Sequence, residues 1–121
     1  MNHQESKIQI ACVCWFAYQY PNLFPSLIAV PNGGKRLLTE AKIMKAEGVK
    51  RGASDLLFLH PNKDYSFLAI EMKTKTGKQS DNQKKWQADI EKIGFGKYVI
   101  CRSTEEFINE ITSYLKNAQK F

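Results

Sequence analysis

The sequence predicts an α/β domain in which a mixed central β-sheet is flanked by helices. Three observations lead to that class. Stretches with apolar residues at helical spacing alternate along the chain with short runs rich in β-branched and aromatic residues, in the order αβαββαβα. Two of those runs, 55–59 and 66–73, are joined by His60-Pro-Asn-Lys-Asp-Tyr65, the strongest hairpin signal in the chain. Finally, 121 residues suffice for one hydrophobic core but not for two. A single domain spanning 1–121 is expected.

The elements follow in order. Ile8, Cys12, Trp15 and Phe16 recur at helical spacing, so a first helix is expected from about Gln4 to Gln19, ending before Pro21, with Glu5 one turn before Ile8 on its buried side. Leu27-Ile-Ala-Val30 reads as a short strand stopped by Pro31-Asn32-Gly33-Gly34. A second helix runs from about Arg36 to Glu47, with Gly48 as its stop. The hairpin strands carry apolar residues on both faces, which places them in the middle of the sheet. A third helix starts at Ser80 and aligns Trp86, Ile90 and Ile93 ahead of Gly94 and the strand Tyr98-Val-Ile-Cys101. Ser103 and Glu106 have capping-box spacing for a last helix bearing Phe107, Ile108, Ile111 and Leu115.

Lysine and arginine outnumber aspartate and glutamate by 18 to 12, a formal charge of +6 that favours polyanions such as nucleic acid or an anionic membrane. The basic residues are spread over many segments rather than massed in a tail, so a solvated surface is an equally ordinary reading until a chemical motif is found. Cys12, Cys14 and Cys101 make no paired framework, which fits a reducing cytoplasm and argues against a zinc site. The apolar run from Ile10 to Ala17 is short and lacks the flanks of a signal peptide, so a soluble, unprocessed chain without membrane attachment is expected.

The chemistry concentrates in the hairpin. Strand residues two apart share a face, so Glu71 and Lys73 project together, on the side that Phe67 and Ala69 occupy earlier in the strand. If the hairpin turns about Lys63, Asp55 stands opposite Glu71, and like charges directly across a ladder repel. A bound divalent cation would offset that repulsion. An arbitrary D…E-x-K more often consists of a turn-capping aspartate and a solvated edge pair. Here the apolar flanks argue for a central strand, and Glu5 and Gln83 add polar residues to otherwise apolar helix faces.

With those residues in place, the chain resembles the VRR-NUC family of the PD-(D/E)XK nuclease superfamily over almost its whole length. The resemblance rests on Glu5-x-x-x-Gln9, Pro31-Asn32-Gly33-Gly34-x-Arg36, Gly48 ahead of Gly52-Ala-Ser-Asp55, Glu71-Met-Lys73 and Gln83-x-x-Trp86. One departure is Ser54, where the family usually has a proline that would stiffen the approach to the strand. The resemblance implies a restriction-endonuclease-like fold. It also implies that Asp55, Glu71 and the Met72 carbonyl bind Mg2+ or Mn2+, with Glu5 completing the site directly or through water. Lys73 would act on the attacking water and the phosphate, and Gln83 would orient the lysine or the water.

Several of these residues have plainer readings. Glu5 is also a favourable first-turn carboxylate against the helix dipole, and Gln83 lies three residues after Ser80, the spacing of a capping box. Trp86 reads as core, and His3 and His60 receive no role. Asn32, Lys35 and Arg36 form either an ordinary turn or a phosphate contact at a helix start. Lys75 and Lys78 follow the catalytic strand and are expected to flank the DNA path, touching phosphates rather than bases. The resulting expectation is a metal-dependent DNA endonuclease directed at branched DNA such as a four-way (Holliday) junction, acting as a homodimer; the helix faces around Trp15-Phe16 and Phe107-Ile108 are read either as its contact or as internal core. The alternatives are a nonspecific or flap-directed nuclease and a non-catalytic basic nucleic-acid-binding module.

Overall fold

The computed structural model describes residues 3–31 and 38–117. In chain order the elements are α1 (His3–Gln19), a 3-10 turn (Phe24–Ser26), β1 (Leu27–Ala29), α2 (Leu38–Ala46), β2 (Leu56–Phe58), β3 (Phe67–Met72), α3 (Asp81–Ile93), β4 (Gly96–Cys101) and α4 (Thr104–Lys116). The strands form one sheet in the order β1-β2-β3-β4, antiparallel except for the parallel pair β3–β4. This is the expected mixed sheet, and the two hairpin strands are its central pair.

Alternation along β3 sorts the two faces. Leu68, Ile70 and Met72 are buried against Cys12 and Phe16 of α1 and Phe107, Ile111 and Tyr114 of α4. Burial of large aromatic and aliphatic side chains at about 1.5–3 kcal/mol each makes this the face that holds the domain together. The helix faces around Trp15-Phe16 and Phe107 are spent inside that core, with the Trp15 and Phe107 rings edge to face at 6.1 Å. Phe16 and Phe107 are thus core residues, while Trp15 and Ile108 of the same faces are only partly buried. On the other face, Ala69 is level with Tyr98 of β4, against which Trp86 of α3 packs at 6.0 Å. No residue of α3 is fully buried, and Ile93 is 65% exposed, so this helix is held by one edge of its apolar stripe rather than by all of it.

Two polar side chains fix the connections. Asn62, buried in the hairpin loop, accepts the N–H groups of Asp64 and Tyr65 on its side-chain oxygen and donates to the Tyr114 carbonyl. This local turn, tied across 52 residues to the end of α4, sets where the hairpin reverses and hence its register. At the start of α4, Ser103 caps the Glu106 N–H as expected. The Glu106 carboxylate, however, accepts the N–H of Arg102 rather than that of Ser103.

Candidate active site

The register of the central hairpin pairs Leu56 with Ile70, and one step further places Asp55 opposite Glu71. The turn about Lys63 is therefore as read. Asp55 is fastened at both ends: its carbonyl accepts the Val30 N–H at 2.8 Å, and its Oδ2 accepts the Met72 N–H at 2.7 Å. Ser54, where the resemblance expects proline, is fully buried and donates its hydroxyl to the Leu56 carbonyl. A side-chain hydrogen bond thus secures the approach to the strand that a rigid ring would otherwise stiffen.

Glu71 is 2% exposed, and its Oε2 accepts from Gln83 Nε2 at 3.2 Å, whereas its Oε1 is buried with no protein hydrogen-bond partner. Burial pushes its carboxyl up to about 9, and the adjacent Asp55 carboxyl adds to the rise, while Lys73 draws it down and Glu5 raises it again. Lys73 is itself buried, and its Nζ lies 3.9 Å from Glu5 Oε1. Glu5 therefore faces the cleft and pairs with the lysine, beyond any service to the helix dipole.

Gln83 caps α3 as its spacing suggested, and its contact in the cleft is with Glu71 rather than with Lys73. Its N–H donates to Ser80 Oγ and its Oε1 accepts the Ser80 N–H, the reciprocal capping box, while its Nε2 holds Glu71. The start of α3 and the acidic pair are coupled through a single amide.

Gly52 makes that coupling sterically possible. Its φ is +81°, and a Cβ there would lie 2.2 Å from the Asn82 carbonyl oxygen and 2.7 Å from the Gln83 nitrogen, so the backbone leading to Asp55 runs directly against the first turn of α3. Gly52→Ala combines a strained φ, worth about 1–3 kcal/mol, with a backbone clash. A lowered Tm together with a loss of activity is expected. Thermal melts and turnover measured on the same preparation check it, and wild-type values for both would refute this close approach.

Glu5, Asp55, Glu71, Lys73 and Gln83 all line one cleft of about 1190 Å³, so the five expected catalytic residues converge. Lys42 and Lys45 of α2, and Lys50 and Arg51 ahead of Gly52, line the same cleft. Gln9, four residues after Glu5 and so on the same helix face, lines it too and carries a buried Oε1 without a protein partner. Lys75 instead borders a separate, smaller depression with Lys7, Thr74 and Arg102, and Lys78 is exposed and lines neither. Asn32, Lys35 and Arg36 lie outside the described residues.

Sequence reasoning passed over the α2 lysines and the Lys50-Arg51 pair as site residues, although their position just before the Gly52–Asp55 motif was a usable signal. It also passed over Arg102, which nothing in the sequence marks. Among the described residues, no group of three or more histidine, cysteine, aspartate or glutamate side chains is close enough to hold a metal by itself. All three cysteines are free. No helix among the described residues is long and apolar enough to cross a membrane.

Two carboxylates and a lysine at the ends of the central strands of a mixed sheet define the PD-(D/E)XK class of nuclease fold. The VRR-NUC domain model matches residues 3–105, and the chain belongs to that family. A solved structure of a VRR-NUC domain protein has the same fold, with a TM-score of 0.83 at 24% identity, covering 98% of this chain and 93% of that one. A search among curated proteins gave no match. The chain is thus a nuclease-type domain.

Proposed function

We propose that this domain is a divalent-metal-dependent DNA endonuclease that hydrolyses phosphodiester bonds in branched DNA such as four-way junctions. The observation that carries the reading is the facing pair Asp55 and Glu71, with a buried Glu71 Oε1 that receives no hydrogen bond from any N–H or hydroxyl group among the described residues. A buried acceptor without a partner is costly, and two carboxyls held face to face repel; both penalties are relieved by a hard cation. Mg2+ or Mn2+ fits this all-oxygen set. Asp55, Glu71 and the Met72 carbonyl would hold it, and water would supply the remaining donors, with Glu5 contributing through one of those waters. When bound, the ion lowers the pKa of a coordinated water and neutralises phosphate charge.

The chain's own groups supply the rest. Lys73 places an ammonium at the same cleft, where it orients the attacking water and offsets the charge that grows on the phosphate oxygens. Glu5 steadies that ammonium from the opposite element. Gln83 keeps Glu71 turned toward Asp55, and the helix start that carries Gln83 is fixed by its own cap. Lys42, Lys45, Lys50 and Arg51 form a basic wall that takes the backbone phosphates of the strand being cut. Lys75 and Lys78 remain candidates for phosphates outside the cleft.

Branched substrate and homodimer belong together in this proposal: two symmetric incisions across a junction need two active sites, and a two-fold pair of single-site domains is the simplest arrangement. Binding should weaken steeply with salt, and neutralising one residue of the basic wall should lower the log–log salt slope by about 1. The preference for a junction over linear duplex should persist in salt, because it rests on shape. A salt-titrated binding series with four-way, flap and linear DNA, together with light scattering, tests this. A monomer that binds all three alike would favour a nonspecific nuclease, and a preference for the flap would favour a flap-directed one.

A further inference from the structure

We infer that Arg102 is a positioning residue for Lys73, acting through the turn at Thr74–Gly77; the inference rests on the catalytic reading of that lysine. Arg102 is the first residue after β4, yet its guanidinium reaches back to the turn that follows β3. One nitrogen, Nη1, donates to the Thr74 carbonyl at 2.8 Å and the Gly77 carbonyl at 2.6 Å, with the Lys75 carbonyl further off at 3.5 Å. The turn closes on itself through the Gly77 N–H and the Thr74 carbonyl at 3.2 Å.

That turn is a wall of the lysine's slot. A Cβ on Gly77 would lie 3.0 Å from Thr74 Oγ1 and in van der Waals contact with Lys73 Cδ at 3.6 Å, so the turn passes within one side chain's reach of the aliphatic stem. A lysine side chain carries about 2 kcal/mol of rotamer entropy on a flexible four-carbon chain. The Glu5 carboxylate at 3.9 Å is too distant to fix it alone. The backbone is tied nearby as well, since the Lys73 N–H donates to the Cys101 carbonyl at 3.0 Å. The ladder thus holds the start of the segment and Arg102 holds its return. Charge-assisted bonds from one cation to several carbonyls are strong enough to keep such a turn in a single conformation.

Because Nη1 alone makes these contacts, an ammonium with three donors can substitute for it, and a methyl group cannot. Arg102→Ala should lower kcat by about ten- to a hundred-fold with KM little changed, and Arg102→Lys should recover most of the loss. Gly77→Val, which leaves Arg102 in place but presses on the Thr74 hydroxyl and reaches the lysine stem, should reproduce the kcat defect. Independently of cleavage, the Lys73 amine should be acylated faster in Arg102→Ala than in wild type, in folded protein without DNA or metal, as read by mass spectrometry. Normal kcat in folded Arg102→Ala, or equal labelling of Lys73 in the two proteins, would overturn the inference. Wild-type protein that does not cut DNA would count against the proposed function instead, and the labelling comparison would still decide this point.

Discussion

Glu71→Gln is expected to abolish cleavage while making the metal-free protein more stable at neutral pH. The folded-state carboxyl is raised from 4.5 to about 9, chiefly by burial and then by Asp55. Folding therefore retains a proton that the unfolded chain releases near the ordinary glutamate value. Stability is fully present below about pH 4.5 and is lost as pH rises toward about 9, by at most roughly 1.4 kcal/mol for each pH unit of that window. The glutamine variant should flatten this decline, because its amide has nothing to ionise and remains able to meet Gln83. Asp55→Ala should likewise end cleavage but lower Tm without metal, since it leaves the buried Met72 N–H without its acceptor. Added Mg2+ or Mn2+ should stabilise the wild type and leave both variants unmoved. Melts from pH 5 to pH 9 with and without metal check the set, and a stability gap between metal-free Glu71→Gln and wild type that fails to widen as pH rises would contradict it.

Lys73→Ala should lower turnover by about 10²- to 10⁴-fold with metal affinity nearly unchanged, because the ammonium is asked to act on water and phosphate rather than to hold an ion. Lys73→Arg should not restore full activity: a guanidinium is planar, broader and cannot release its proton. Calorimetry of metal binding beside single-turnover cleavage separates the two roles. Loss of metal binding as complete as in Asp55→Ala would assign the lysine to the metal site instead.

Much of this site was legible in the sequence because it is built on a hairpin. Strand alternation placed Glu71 beside Lys73, and the pairing arithmetic about Lys63 placed Asp55 opposite Glu71. Helical spacing brought Glu5 and Gln9 to one face, and the spacing from Ser80 to Gln83 disclosed the cap but not that the same amide also reaches Glu71. Long-range contacts without a periodic signature stayed hidden. Arg102 meets a turn 25–28 residues earlier only because β4 lies parallel to β3. The side-chain bond that secures Ser54 and the backbone approach at Gly52 depend on tertiary packing in the same way. Apolar spacing identified the faces of α1 and α4 without saying what covers them, and to a large part they cover each other.

The most direct test of the account is the cleavage of a four-way junction by wild type and Glu71→Gln from parallel preparations, each with Mg2+ or Mn2+ and with chelator. Wild type should cut only with the ion, and the folded glutamine variant should not cut under either condition. Cleavage by wild type in chelator, or by the variant at the wild-type rate, would contradict a metal-dependent site at Asp55 and Glu71.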